Sequence, residues 1–191
     1  MALTAVYNLE ALQLDTINAF LNSPIDEEIY RKCPPGYENL GKGLKLVRAL
    51  YGLCRAPKLW YEEFIRTLDQ LGLKPILGQP CLFTNGLVIL FFYMDDISLL
   101  GWSMDALQSL KKGLISRYEM RDLGPLQWFL GIRVTRDHTL RKLWLSQDAY
   151  VNKIVSVYHL PSHRPTHIPL PVSGLSPNDK QASQQQIYMF Q

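Results

Sequence analysis

Runs of alternating and continuous apolar positions divide most of this chain into short strands and helices. Leu12 and Leu14 flank the polar Gln13 in a strand-like alternation that ends at Asp15, and Thr16 to Leu21 then reads as a short helical turn. Pro24, Pro34, Pro35, Gly36, Gly41 and Gly43 punctuate the next stretch, which leaves room only for short elements. Trp60, Phe64, Leu68 and Leu71 recur at spacings of 4, 4 and 3, with Pro57 near the first turn and Gly72 just past the end. That pattern predicts an amphipathic helix with its own start and stop signals.

The second half is richer in strands. Cys81 to Thr84 is a short apolar run, followed by Asn85-Gly86, the dipeptide best suited to a type I′ hairpin turn, and by the fully apolar Leu87 to Phe92. This last run predicts a buried central strand. It breaks at Tyr93-Met94-Asp95-Asp96 and resumes with Ile97 to Leu100, so two adjacent carboxylates fall in the tight connection of a second hairpin. Met104, Leu107, Leu110, Leu114 and Tyr118 have helical spacing, Trp128 to Val134 and Leu140 to Leu145 read as a hairpin, and Ser146 is placed to cap a last helix running to Tyr158. From residue 160 the periodicity fades into prolines at 161, 165, 169, 171 and 177 and a Gln-rich run from Gln181 to Gln186, the composition of a linker or a severed element. The expected organisation is therefore a folded region over residues 1–159 and a Pro/Gln-rich segment over 160–191, in an α+β class with an antiparallel sheet and helices packed on one face.

Composition narrows this only a little. At 191 residues and 47% hydrophobic, the chain has enough apolar surface for one core of useful size. A net charge of +3 permits a nucleic-acid partner without requiring one. Cys33, Cys54 and Cys81 are odd in number, widely spaced and without a C-x-x-C pair, so neither a disulfide framework nor a zinc knuckle is indicated. The longest apolar run, Leu87 to Met94, falls far short of the ~20 residues that span a bilayer, and no membrane partner is expected.

The carboxylates carry the chemistry. Asp15 stands at one strand's end and Asp95-Asp96 at a hairpin tip, so a sheet that brought the two ends together would gather three acidic side chains. Such a cluster binds hard divalent cations through oxygen, and two ions about 4 Å apart activate a hydroxyl and neutralise the charge on a transferring phosphoryl group. The structural alternative stands beside it, because Asp is common in turns where its side chain bonds nearby backbone. Two features weigh against a purely structural pair: it interrupts an otherwise apolar hairpin, and its flanking strands are predicted to be buried.

The string Tyr93-Met94-Asp95-Asp96 resembles the Y-x-D-D box of reverse transcriptases, and Leu14-Asp15-Thr16-Ile17-Asn18-Ala19-Phe20-Leu21-Asn22 resembles their first carboxylate motif in its copia-type form. Leu50-Tyr51-Gly52-Leu53 with Ala56-Pro57 and Trp60-Tyr61 resembles the L-Y-G-L-x-x-A-P-x-x-W-Y segment between them. Asp122-Leu123-Gly124, Phe129-Leu130-Gly131-Ile132 and Leu145-Ser146-Gln147 with Tyr150 follow in the family's order. The resemblance implies a reverse-transcriptase palm with the fingers missing and the thumb partial, from the Pol polyprotein of a copia-type LTR retrotransposon. It implies Asp15, Asp95 and Asp96 as catalytic residues holding Mg²⁺ (or Mn²⁺). It places Thr16, Phe20, Tyr51 and Gly52 at the incoming deoxynucleoside triphosphate, with Phe20 as an aromatic gate against a ribose 2′-hydroxyl. Tyr93, Met94, Leu130 and Gly131 would meet the RNA/DNA template-primer. Implied partners are the integrase and RNase H parts of the polyprotein, and the implied location is a cytoplasmic virus-like particle and the nucleus.

The chain departs from the family pattern in places. Cys54-Arg55 stands where Lys-Gln or Arg-Gln is usual, Asn22-Ser23 where Asn-Gly is, and Arg121 where a Lys is common in the segment that supplies a proton to the leaving pyrophosphate. An Arg holds its proton too tightly for that task. Met1 lies only 14 residues before Asp15, which leaves no room for the basic fingers that clamp a triphosphate, and no second carboxylate cluster offers RNase H activity. The expectation is weak or absent polymerase activity in the isolated chain. A decayed or repurposed fragment that no longer polymerises, and a different palm-like two-metal nucleotidyl enzyme such as a cyclase, are the two other readings. His159, His163 and His167 lie four apart, but Pro161 and Pro165 interrupt any helix that would align them on a metal. Arg133, Arg136, Arg141 and Lys142 suit a solvated turn as well as nucleic-acid phosphates.

Overall fold

The computed structural model describes residues 1–36 and 43–158. The Pro/Gln-rich segment expected from residue 160 and the three histidines at 159, 163 and 167 lie outside the described residues. In chain order the elements are α1 (Ala2–Val6), β1 (Glu10–Thr16), a 3₁₀ turn (Ala19–Asn22), the two-residue strands β2 (Tyr30–Arg31) and β3 (Leu44–Lys45), α2 (Ala56–Gln70), β4 (Lys74–Ile76), β5 (Gln79–Thr84), β6 (Val88–Tyr93), β7 (Asp96–Gly101), α3 (Met104–Ile115), β8 (Met120–Pro125), β9 (Trp128–Phe129), β10 (Ile132–Asp137), β11 (Lys142–Ser146) and α4 (Asp148–Val157). The chain divides into two compact units, Met1–Val151 and Asn152–Gln191.

The class is α+β. Six strands form one antiparallel sheet in the order β4-β5-β6-β7-β1-β8, and β11-β10-β9 form a smaller one. Alternation along the large sheet sorts its side chains onto two faces. Leu12, Leu14, Phe83, Leu90, Phe92, Ile97 and Leu99 join the main core with Trp60, Phe64 and Leu68 of α2 and Leu107, Leu110 and Leu114 of α3. Ile89, Phe91 and Leu100 turn the other way and pack with Leu126, Phe129 and Val134. The fully apolar run of β6 is thereby explained: it is covered on both faces, by helices on one and by the β9–β10 region on the other.

The end of α2 falls where the punctuation places it, whereas Ser146, read as the cap of the last helix, instead closes β11 and donates to the Asp148 carboxylate at 2.8 Å. Beyond α2, Gly72 adopts φ +80 and the Leu73 amide donates back to the Leu68 carbonyl at 2.9 Å, the left-handed ending that glycine allows. Ser103 caps α3 by accepting from the Ala106 amide at 3.4 Å.

Turn chemistry differs from the sequence reading at two hairpins. A type I′ turn needs positive φ at both central residues, but at Asn85-Gly86 only Gly86 has it. The Asn85 side chain instead accepts from the amides of Leu87 and Val88, so a wider, side-chain-bonded loop joins β5 to β6, and Leu87 lies outside the strand. Both residues of Leu130-Gly131 have positive φ, 51 and 77, between the paired Phe129 and Ile132. The tight turn therefore falls inside the stretch Trp128 to Val134 that pattern alone presents as one strand.

Asp122-Leu123-Gly124 forms a bulge. Gln13 pairs with Gly124 and Leu14 with Asp122, so Leu123 is the extra residue, and the Asp122 carboxylate accepts from the Gly124 amide at 3.0 Å. At the opposite edge β4 contains Pro75, a residue that lacks the N–H a central strand would use.

Candidate active site

Register brings two of the acidic positions together. Asp15, next to last in β1, pairs directly with Asp96, the first residue of β7. Asp96 pairs across the β6–β7 hairpin with Tyr93, leaving Met94 and Asp95 as a two-residue turn. Met94 holds φ 54 in that turn, a conformation usually left to glycine, and non-glycine residues held there store strain on the order of 1–3 kcal/mol. Two hydrogen bonds hold the turn down: the Thr16 amide donates to the Asp95 carbonyl at 2.9 Å, and the Trp60 indole donates to the Met94 carbonyl at 3.0 Å. Trp60 thus links the helical core to the backbone that carries Asp95.

Side-chain partners are specific. The Tyr51 hydroxyl donates to Asp95 Oδ2 at 2.9 Å, while Asp95 Oδ1 is buried with no hydrogen-bond partner. Arg121, beside Asp15 on β8, stands 3.9 Å from its Oδ2. Burial first, then the charges of Asp15 and Asp95, raise the Asp96 pKa above its ordinary value. Burial, the bond to Asp95 and the neighbouring carboxylates push the Tyr51 phenol up to about 12, so it is a neutral donor throughout the physiological range.

The raised Asp96 pKa has a sign for stability. Folded and unfolded chains bind the proton alike below the unfolded value near 3.8; as pH rises through the higher native value, the folded state is left with a charge it holds poorly. Asp96→Asn is therefore expected to raise thermal stability at neutral pH, modestly because the group is partly exposed, with no gain below about pH 3.8. Melting curves across pH check this, and a destabilised variant at pH 7 would contradict the repulsion.

Tyr51 reaches the carboxylates by a long return. After the 3₁₀ turn the chain leaves at Ser23 and comes back at Ala49, zipped by the Ala49 amide on the Ser23 carbonyl at 2.9 Å and by the Pro24–Arg48 bridge. Leu50 to Leu53 then form a turn closed by Leu53 N–H on Leu50 O at 3.2 Å, with Gly52 at φ +94 where a side chain would be strained. The Tyr51 ring, 49% exposed, rests on Phe20 with centroids 4.3 Å apart, and Phe20 is 6% exposed within the core. Thr16 is buried, its hydroxyl without a partner.

The second candidate group lies on the sheet face opposite the helices. Tyr93 and Met94 are exposed at the hairpin tip, and Leu130 at the β9–β10 turn. The start of β9 is tied to β1 through the Trp128 amide on Gln13 Oε1 at 3.4 Å, two residues from Asp15, and Phe129 packs on Phe91 at 4.8 Å.

The departure at Arg55 is absorbed locally: its guanidinium pairs with Asp26 and, at 3.2 Å, with Glu27. Lys111 donates to Asp122 at 2.6 Å, and that bond, with the Gly124 amide, lowers the Asp122 pKa. Sequence reasoning missed three features: the Tyr51–Asp95 bond, the Trp60–Met94 bond and the buried Gln13. Tyr51 and Trp60 fall in the one motif segment between the acidic motifs, which was the available signal.

Among the described residues no three acidic, imidazole or thiol side chains stand together as a ready ligand set. The backbones of Asp15, Asp95 and Asp96 are adjacent, whereas Asp95 is held by Tyr51 and Asp15 leans toward Arg121. The donor chemistry nevertheless suits a hard cation: oxygen ligands only, mutual repulsion at Asp96, and an orphaned buried oxygen on Asp95.

Comparison with known proteins identifies the family. Residues 1–172 match the family model described as reverse transcriptase (RNA-dependent DNA polymerase). The chain is 35% identical, over 89% of its length, to a retrovirus-related Pol polyprotein from transposon TNT 1-94 of Nicotiana tabacum, and 31% identical, over 83%, to one from transposon RE1 of Arabidopsis thaliana. It is 32% identical, over 82%, to a putative transposon Ty5-1 protein of Saccharomyces cerevisiae. It spans 13%, 11% and 53% of those three proteins respectively.

Proposed function

The chain belongs to the reverse transcriptase (RNA-dependent DNA polymerase) family, as the domain found in copia-type retrotransposon Pol polyproteins, and from that premise we propose that it adds deoxynucleotides to a primer 3′-hydroxyl on an RNA or DNA template. The observation that carries the reading is the ladder pairing of Asp15 with Asp96, with Asp95 in the adjoining turn. The family generally uses divalent metal ions, and Asp15, Asp95 and Asp96 would hold Mg²⁺ or Mn²⁺. When bound, such ions activate the primer hydroxyl and neutralise the charge developing on the transferred phosphoryl group.

The remaining assignments concern the chain's own surfaces. Tyr51, Gly52, Thr16 and Phe20 form the nucleotide side, with the Phe20–Tyr51 pair, its rings tilted at 42°, as an aromatic wall against which a sugar is sized. Tyr93, Met94, Leu130 and Gly131 form the primer and template side, supported by two hairpin tips on the sheet face opposite the helices. The sheet with its helices corresponds to the palm. In its parent polyprotein the domain would act beside integrase and RNase H, in a cytoplasmic virus-like particle and in the nucleus. No helix among the described residues is long and apolar enough to cross a membrane.

Primer extension tests the proposal directly. The folded chain, given an annealed RNA template, Mg²⁺ and deoxynucleotides, is expected to extend the primer only weakly, with that extension abolished by chelator. Absence of any product from folded protein at micromolar concentration would count against catalysis by this chain and favour a non-catalytic fragment.

A further inference from the structure

We infer that the outer face of the β9–β10–β11 sheet is a docking platform for single-stranded RNA, on which two tryptophans stack unpaired bases. Residues opposed in an antiparallel ladder share a face, so the register sorts this sheet into two sides. One side carries Phe129, Val134 and Leu143, which pack with Phe91 and Leu100 of the large sheet. The other carries Trp128 opposite Arg133, Arg133 opposite Ser146, Thr135 opposite Trp144, and Asp137 opposite Lys142. Trp128 and Trp144 are 43% and 49% exposed, and among the described residues neither indole meets another ring or a hydrogen-bond acceptor. They stand two strands apart and two residues out of step, roughly 12 Å, so each takes its own base.

Cations are interleaved with the indoles. Arg133 is the ladder partner of Trp128, Lys142 lies on the same face of β11 as Trp144, and Arg141 occupies the adjoining turn. Arg141 and Lys142 have no ion-pair partner among the described residues, and Arg133 stands 3.8 Å from Asp148 in an exposed pair that a phosphate can replace. The Asp137 carboxylate is engaged by the Leu140 amide at 2.8 Å. Because β9 is only two residues long, a cleft of about 490 Å³ opens beside β10, lined by Trp128, Arg133, Thr135, Arg136 and His138, with room for a nucleotide. An apolar partner would leave these charges and hydroxyls unmatched, and a duplex keeps its base faces stacked on one another. An unpaired strand supplies flat rings for the indoles and phosphates for the cations. The choice of RNA rests on the family reading, since an RNA-dependent polymerase meets its template unpaired. The Trp128 amide, bonded to Gln13, ties the platform to the strand that carries Asp15.

Fluorescence anisotropy of a short, unstructured RNA oligonucleotide titrated with the whole chain, without Mg²⁺ or deoxynucleotides, reads the platform apart from catalysis. Trp128→Ala and Trp144→Ala are each expected to weaken binding about five- to hundredfold at a parent-like melting temperature, the scale of one lost base stack. Trp144→Phe, which keeps a ring, should recover most of that loss. Should Trp128→Ala fold poorly, the two Trp144 variants carry the test. Lys142→Gln is expected to lower the slope of log affinity against log salt by about 0.7. An RNA duplex of equal length should bind at least about fivefold more weakly. The Asp95→Asn, Asp96→Asn variant should bind RNA as the parent does, so failure of primer extension leaves this result standing. RNA affinity of Trp144→Ala within about twofold of the parent, or no RNA binding at all, overturns the platform even where extension succeeds. Tighter binding of single-stranded DNA than of RNA overturns the assignment to RNA.

Discussion

Extension by the Asp95→Asn, Asp96→Asn double variant is expected to fall at least about 10³-fold below the parent chain, the scale on which removal of preorganised charge stabilisation acts. The substitution keeps side-chain size and removes two negative charges from the turn and the first position of β7. Three of the chain's own properties sharpen the expectation. Asp15 pairs with Asp96, so losing one partner leaves the other facing an amide; Tyr51 is left with a neutral amide oxygen in place of a charged acceptor; and the burial and like charges that raise the Asp96 pKa no longer act on a carboxylate. Activity and stability should therefore move in opposite directions, with extension lost and the melting temperature at neutral pH held or raised. Extension rates and melting curves measured on one preparation check both, and extension within tenfold of the parent would sink the assignment of these carboxylates.

Trp60→Ala is expected to destabilise the fold by about 3–5 kcal/mol, a large share of the roughly 5–15 kcal/mol that holds a typical domain together. The side chain is 1% exposed, packs on Phe64 at 5.0 Å and meets Tyr118 edge-on at 5.2 Å. Removing it empties the junction between α2 and the hairpin turn that its indole holds. Trp60→Phe separates packing from tethering. It keeps most of the volume but deletes the indole N–H that holds the Met94 carbonyl, so stability should drop by about 1 kcal/mol for the bond itself while extension falls more steeply. Denaturant unfolding alongside extension kinetics measures the two effects. A phenylalanine variant with parent-like extension would show that the tether does not matter to the turn it holds.

The strongest local patterns were legible in the sequence because their physics is local. The α2 periodicity, its closing glycine and the apolar hairpin around Asp95-Asp96 needed no knowledge of distant residues. The acidic pair was found through the same break in pattern, and Asp15 through the end of an alternation. What stayed hidden depended on partners far along the chain. Nothing in the order of residues says that Phe20 lies beneath Tyr51, thirty-one positions later, or that the Tyr51 hydroxyl ends on Asp95. The choice of turn was also decided elsewhere: Asn85-Gly86 has the composition for a type I′ turn, yet the Asn85 carboxamide found two amides to bond, while Leu130-Gly131, with a bulky first residue, is held in the tighter form between paired strands. Met94 shows the same override, since its positive φ is imposed by the two hydrogen bonds on its turn. The residue type by itself would have argued against it.

The two outer strands of the large sheet deny it a seventh. β4 presents a proline where an incoming strand would need a donor, and β8 is thrown out of register by its extra Leu123, which twists that border away from a flat ladder. An open sheet edge is exposed to edge-to-edge joining and to fibre growth. Here both borders of the six-stranded sheet carry features that resist that template.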